Sequence, residues 1–498
     1  MRKYILSSIL IAVTFCIGGV RTAVAQTLNS SEIMYHSFRS PMVTRLNPAA
    51  FPSDSKFYIS FPRTGIGLSL PFSYSDLAMH REVRFDSTTL KSDTTTIVDL
   101  NKLIDNLTST NGNTHMRLGF NFDEELLGFG FNVKNLYFNF AFGVSANANM
   151  TIPLNALRLL TEGNRGKNST LDLGTDDLFA AQAYAYTSLG FAMKIPYTAA
   201  TIGARLNMLY GLQVAAADNA NIVLTTDSVQ SQMRLNVDFL ARTAGVLNLV
   251  PDTNFKFHPF EGLDSWKDYI PKNLGFTFDL GAKYEYKNFI FSASILNIGP
   301  GIHWTQNSTT FRPNNTDTLY FDGVDIEPLI VNGEFDEDYG QKMLDSVLHL
   351  VDTSMTHESF WCGVPTKFYL GASYSLKDYV RFGVLFHGEW DHGTSRAFNI
   401  FRQNTTLSVH VNVFDWLEVA AANSFTFDGK RPDAFNPALS ISFNLARRLQ
   451  FYATIDYLSN LYATNMKAFH LYFGANIVGK TNYKEKHSSQ ERLRLEVE

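Results

Sequence analysis

The stretch 136-LYFNFAFGVSANANM-150 decides the fold, because its side chains change character at every second residue. Phe138, Phe140, Phe142, Val144, Ala146 and Ala148 fall on one side, and Tyr137, Asn139, Ala141, Gly143, Ser145 and Asn147 on the other. Successive side chains of a β-strand point to opposite faces, so the segment has one apolar and one polar face. The same pattern recurs outward from it. Phe278, Leu280, Ala282, Tyr284 and Tyr286 oppose Thr277, Asp279, Gly281, Lys283 and Glu285; Leu206, Met208 and Tyr210 oppose Arg205, Asn207 and Gly211. Val409, Val411 and Val413 alternate with polar residues, as do Phe469, Leu471, Phe473, Ala475 and Ile477. A soluble sandwich would alternate too, so length arbitrates. Sandwich strands average about 5–6 residues, whereas a membrane-crossing strand needs about 9–11. Segments 136–150, 181–194, 198–213, 273–286, 378–391 and 467–479 reach the longer class. Their polar face carries Arg205, Asp279, Lys283, Arg381, Glu389 and Asp391, as the lining of a water-filled lumen does. The expected fold is all-β, a transmembrane antiparallel β-barrel of roughly 14 to 16 strands.

The amino terminus points the same way. Arg2 and Lys3 precede an apolar run from Tyr4 to Val20, and Ala23-Val24-Ala25 before Gln26 forms an A-x-A cleavage site. Residues 1–25 therefore read as a signal peptide, cut between Ala25 and Gln26, and the destination as the cell outer membrane. Cys16 follows Phe15, where a lipoprotein site wants a small residue, so lipid attachment is rejected. Beyond Ala25 no apolar run approaches the roughly 20 residues of a spanning helix. Cys362 is then the single cysteine, so no intramolecular disulfide is available. The formal net charge of −5 offers no basic field for nucleic acid.

Residues 26–55 have little periodicity and several turn formers, and read as an extended or plug-like segment ahead of a barrel over 56–479. Tight hairpins are marked by Tyr286-Lys287-Asn288, Leu376-Lys377-Asp378, Phe414-Asp415-Trp416 and Arg447-Arg448. Longer polar intervals at 76–112, 153–178, 242–272, 300–364 and 392–404 read as surface loops or luminal inserts. Helical patterns appear within them at Leu100–Leu107, Pro153–Leu160 and Asp336–Val351. A charged tail, 480–498, follows the last strand.

Several stretches are also familiar: SPMVTRLNPAAFPSDSKFYISFP (Ser40–Pro62), PFSYSDL (Pro71–Leu77), LLTEGNRGKNSTLDL (Leu159–Leu173), TIGARLNMLYGLQ (Thr201–Gln213), and the closing FNPALSISFNL and AFHLYFGANIVG. In this order and spacing they resemble a family of uncharacterised Bacteroidota outer-membrane proteins, itself similar to FadL-like long-chain fatty-acid transporters. The resemblance implies a 14-stranded barrel with an N-terminal hatch whose motif maps onto Asn47, Pro48 and Ala49. It also implies passive uptake of a hydrophobic or amphipathic small molecule, embedded in outer-membrane lipid and needing no cofactor. Some FadL-like relatives instead serve as scaffolds or shuttles for exported proteins, and the large 300–364 insert keeps that alternative open. The chain departs from many outer-membrane barrels in running past its last strand, where they end on an aromatic residue.

Two constellations carry chemistry. Asn47-Pro48 fixes a turn, because proline lacks a donor and drives the preceding residue out of the helical region. It is either an ordinary turn entering the first strand or a gate. His387, Glu389 and Asp391 share one face of a strand, with His392 at the turn, and imidazole plus carboxylates are metal ligands. Residues two apart on a strand diverge by about 6–7 Å, so a metal would need further ligands, and a lumen face carries such groups anyway. No nucleotide loop, zinc-protease or nucleophile-elbow motif is found, and no enzyme is expected.

Overall fold

A computed structural model of the chain describes residues 32–480, apart from 39, 52–54, 71–78, 87–90, 99, 112–114, 164–168, 228–231, 250–269, 314–318, 322–329, 332–333, 336–352, 377–378, 392–399, 415, 429–430, 446–447, 457 and 459–467. The signal-peptide and cleavage expectations (residues 1–25, Ala25, Gln26), the helix over 336–351 and the tail beyond Lys480 lie outside the described residues.

Fourteen antiparallel strands close on themselves. They are β1 (Ser55–Ser60 continued by Arg63–Ser69), β2 (His115–Val133), β3 (Leu136–Pro153), β4 (Thr175–Lys194), β5 (Ala200–Asp227), β6 (Asn273–Tyr286) and β7 (Phe289–Trp304). The circuit continues through β8 (Thr366–Leu376), β9 (Val380–Asp391), β10 (Ile400–Phe414), β11 (Leu417–Asp428), β12 (Arg431–Leu445), β13 (Leu449–Asp456) and β14 (Ala468–Lys480). Each pairs with the next, and β14 pairs back onto both segments of β1, so the sheet has no lateral edge there. The expected hairpin at Lys287-Asn288 joins β6 to β7; residues 377–378, 415 and 447 of the other three lie outside the described residues, and the strands flanking them, β8–β9, β10–β11 and β12–β13, pair antiparallel with their near ends at that same end of the barrel. Lys134 in the β2–β3 turn and Lys287 in the β6–β7 turn take positive φ (56° and 53°), which lets a very short connection match the strand twist.

The alternation settles which face is inside. Along β6, Leu274, Phe276, Phe278 and Leu280 are 58, 44, 46 and 52% exposed, while Asn273, Thr277 and Asp279 are buried. Polar-in and apolar-out inverts a soluble core and matches a barrel whose outer band faces hydrocarbon. Among the described residues no helix is long and apolar enough to cross a membrane.

Several strands overrun a membrane thickness. β5 has 28 residues and β4 has 20. The lower part of β5 pairs with β6 up to Gly211↔Asn273, and its upper part pairs with a separate strand, Gln232–Gly245, starting at Gln213↔Gly245. One neighbour of β5 is thus interrupted between residues 245 and 273. Gln232–Gly245 pairs on its other side with Thr309–Pro313 and Leu319–Phe321, building a raised wall at the long-loop end. These elements correct the assignment of 300–364 to loops, and likewise 392–404 and 153–178, where β10 begins at Ile400 and β4 at Thr175. The upper part of β5 is rich in small residues (Ala215, Ala216, Ala217 and Ala220), so the period-two contrast fades although pairing continues, and Leu224 packs there with Leu171, Leu235 and Val237. The expected helices at 100–107 and 153–160 are present as Leu100–Asn111 and Leu154–Glu162, and Leu103, Leu107, Met116 and Leu154 pack them together.

A luminal segment and the cavity above it as the candidate functional site

Residues 32–51 enter the ring before β1 and lie among its inward-facing side chains. Glu32–His36 form a 3₁₀ turn and α1 spans Val43–Leu46. Ile33, Met34, Met42 and Leu46 are all buried, but polar bonds to strands on every side hold the segment.

Glu32 is the first anchor. His387 Nδ1 lies 2.6 Å from one of its carboxylate oxygens, which also accepts from Asn404 Nδ2 (2.8 Å), and Thr406 Oγ1 donates to the other. Burial pushes this carboxyl up, but the His387 charge and these three donors outweigh it and hold it below its ordinary value. The His387 ring stacks on Tyr369 at 4.4 Å, and Tyr369 on Tyr35 at 5.7 Å. Next, Glu418 accepts from Ser37 Oγ and from the Phe38 amide, both 3.2 Å, while Arg381 donates to the His36 and Ser37 carbonyls. Burial, with the charges of His410 and Arg381 nearby, pushes the His36 imidazole down to about 3, so it is neutral. At the far side, Arg205 binds its directly opposite partner Asp279 at 2.6 Å and donates to the Thr44 (3.1 Å) and Arg45 (2.9 Å) carbonyls. Arg45 reaches Glu125 (3.0 Å) and the Tyr186 hydroxyl (2.6 Å).

Asn47 is the pivot of the expected motif. It is fully buried, and its side-chain amide donates to the Tyr35 hydroxyl and to the Ala282 and Ala293 carbonyls on β6 and β7. Its side-chain oxygen accepts from the Ala49 amide at 2.9 Å, an Asx turn closed by Pro48. Gly203 and Gly281 make room for this turn. A Cβ on Gly203 would come within 2.5 Å of the Pro48 backbone, and one on Gly281 would strike the Asn47 side chain.

Of the four candidate ligands at 387–392, the structure places two. His387 turns to Glu32, and Glu389, buried, lies 3.6 Å from Lys367 Nζ. The Asp391 side chain and all of His392 lie outside the described residues, and among those described no group of three or more His, Cys, Asp or Glu could hold a metal. Sequence reasoning missed Glu32 and Arg45, which carry no motif, and left Arg205 and Asp279 as unassigned luminal charges. Alternation gives the face of a residue, not what crosses the lumen to meet it.

On the side of the segment away from the short turns lies a cavity of about 140 Å³ that opens to solvent. Met42, Arg45 and Leu46 form its floor, and Tyr184, Tyr186, Leu209, Leu296, Tyr369 and Tyr472 contribute to its wall. Behind that wall, Ile302 and Trp304 extend an apolar cluster with Tyr184, Tyr186 and Leu209.

The family of unknown function DUF5723 matches residues 48–480, which include the whole barrel. The chain belongs to that family. No curated protein matches it. Among solved structures, this DUF5723 chain is similar to the Pseudomonas putida toluene transporter TodX at 8% identity and TM-score 0.41, covering 92% of this chain and 98% of that one. A monoaromatic hydrocarbon channel, a deltaS2S3 mutant of TodX, gives 8% identity and TM-score 0.44, covering 89 and 94% of the two chains. A Pseudomonas aeruginosa FadL homologue gives 11% identity and TM-score 0.38, covering 92 and 99%. The DUF5723 fold assignment rests on the strand pairing itself.

Proposed function

We propose that the protein is an outer-membrane channel for passive uptake of a hydrophobic or amphipathic small molecule, with residues 32–51 as its hatch. One observation carries this reading: a closed barrel blocked by a segment bonded from all sides, directly beneath a cavity of mixed aromatic and polar lining. A structural plug needs no ligand-sized space on its upper face, and a plain porin needs no plug. The short-turn end is the periplasmic one and the raised wall faces outward, following the usual loop asymmetry of such barrels. The hatch bonds are many, each contributing about 0.5–1.5 kcal/mol between neutral groups and about 1.5–3 kcal/mol to a charged one, so they can be exchanged stepwise as a solute passes. No cofactor and no bond-breaking chemistry is invoked.

The test is flux through proteoliposomes, using palmitate and monopalmitoylglycerol as probes. Deleting Asn47–Ala50 should change the flux of at least one probe while far-UV circular dichroism reports an assembled barrel. Unchanged flux of both removes the hatch. The second reading, a scaffold or shuttle for exported proteins, draws on the raised wall that Thr309–Pro313 and Thr353–Thr356 extend. It predicts a protein partner at stoichiometric amounts in gentle purifications.

A further inference from the structure

Apart from its tyrosines, the cavity is lined by six ionisable side chains: Arg45, Asp123, Arg205, Asp279, Lys367 and His470. Five of them already face an opposite charge, and His470 shares a hydrogen bond with a carboxyl group. Arg45 meets Asp123 at 3.4 Å and Glu125 at 3.0 Å, and Arg205 meets Asp279 at 2.6 Å. Lys367 lies 3.6 Å from Glu389, and His470 Nδ1 lies 3.0 Å from Asp456. A charged solute entering this space would lose hydration and find no unmatched counter-charge. It could gain one only by breaking an existing pair and stranding the displaced partner, which is the costly outcome for a buried charge. What the wall offers without that cost is neutral: the hydroxyls and amides of Ser188, Asn207 and Asn297, and the phenol rings of Tyr184 and Tyr369, beside Leu209 and Leu296.

We infer that the cavity takes an uncharged amphiphile, a molecule with hydroxyl, ester or amide groups on an apolar body, in preference to a fatty-acid anion or an alkyl cation. The inference rests on the uptake reading and narrows its substrate class. Aromatic rings pack against the apolar body, and neutral donors and acceptors exchange one partner for another without a change in net charge.

The experiment measures binding of three probes of equal chain length, monopalmitoylglycerol, palmitate and hexadecylammonium, to the full-length barrel in nanodiscs. The neutral probe should bind on the order of tenfold more tightly than either charged one, equivalent to about 1.4 kcal/mol. Equal or tighter binding of a charged probe overturns the inference. Glu389→Gln, which takes the carboxylate from beside Lys367, should move the palmitate-to-monopalmitoylglycerol affinity ratio about tenfold toward palmitate. An unmoved ratio overturns it as well. The two levels of the proposal fail differently. A preferred charged probe, with flux still responding to hatch deletion, removes only the neutral class; no binding of any probe, with flux indifferent to the hatch, removes the uptake reading with it.

Discussion

Replacing Glu32 with alanine should loosen the luminal segment while leaving the barrel wall intact. Glu32 draws bonds from His387, Asn404 and Thr406, three residues on two adjacent strands, and none of these strands relies on Glu32 for its own pairing. Removing one member of a buried ion pair can cost about 3–5 kcal/mol when the other charge is stranded. The cost taken here is that of the lost hydrogen bonds. Bonds to a charged group contribute about 1.5–3 kcal/mol each and are not additive within one cluster, so a total of about 3 kcal/mol is expected. That corresponds to an undocked population on the order of 100-fold larger. The assay is limited trypsinolysis of the barrel in micelles, read by cleavage after Arg45, a bond shielded while the segment is docked. When opening is fast relative to cleavage, the rate tracks the open population. The Glu32→Ala protein should be cut after Arg45 about 100-fold faster, with unchanged strand content by circular dichroism. An unchanged rate would refute the idea that this cluster holds the segment.

Acidification should act in the same direction. His36 is depressed from 6.5 to about 3 when docked, so docking favours its neutral form and weakens as pH falls below 6.5; at about pH 5.5 the loss is about 1.4 kcal/mol. Glu32, also depressed, adds a further loss once pH drops below its ordinary 4.5, and the same cleavage assay against pH reads both steps. Gly203→Val should expel the Asn47-Pro48 turn by crowding the Pro48 backbone, raising cleavage after Arg45 at neutral pH; wild-type protection would contradict the packing. Leu280→Lys places a charge on the outward band, where it should destabilise the barrel in vesicles by about 2–4 kcal/mol near mid-bilayer, measured by reversible urea unfolding. A neutral effect there would mean that this face does not meet lipid.

Much of this architecture was legible in the sequence wherever one face of a strand meets lipid and the other the lumen. β6 is the clear case: segment 273–286 has the observed bounds, and alternation stops at the Lys287-Asn288 turn that ends it. Legibility failed where that asymmetry ends. The alternation predicts a strand over 198–213, whereas β5 runs to Asp227, because the small residues Ala215, Ala216, Ala217 and Ala220 of its upper half give no large-apolar against polar contrast. The candidate site was legible only in part. Asn47-Pro48 stood out because proline restricts its neighbour whatever the tertiary context. His387 stood out too, but its partner Glu32 lies 355 residues away, and no local pattern encodes a contact that exists only once the ring is closed.

That ring closes where Ser55 pairs with Lys480, joining the first barrel strand to the last. Contacts of such sequence separation are slow to form, because the loop-closure entropy comes before any reward. The luminal segment precedes β1 in the chain, yet it touches strands from β2 to β12. A segment bonded to strands so far apart in sequence finds its full set of partners only in the complete ring, so docking of the segment and closure of the seam between β14 and β1 stabilise one another.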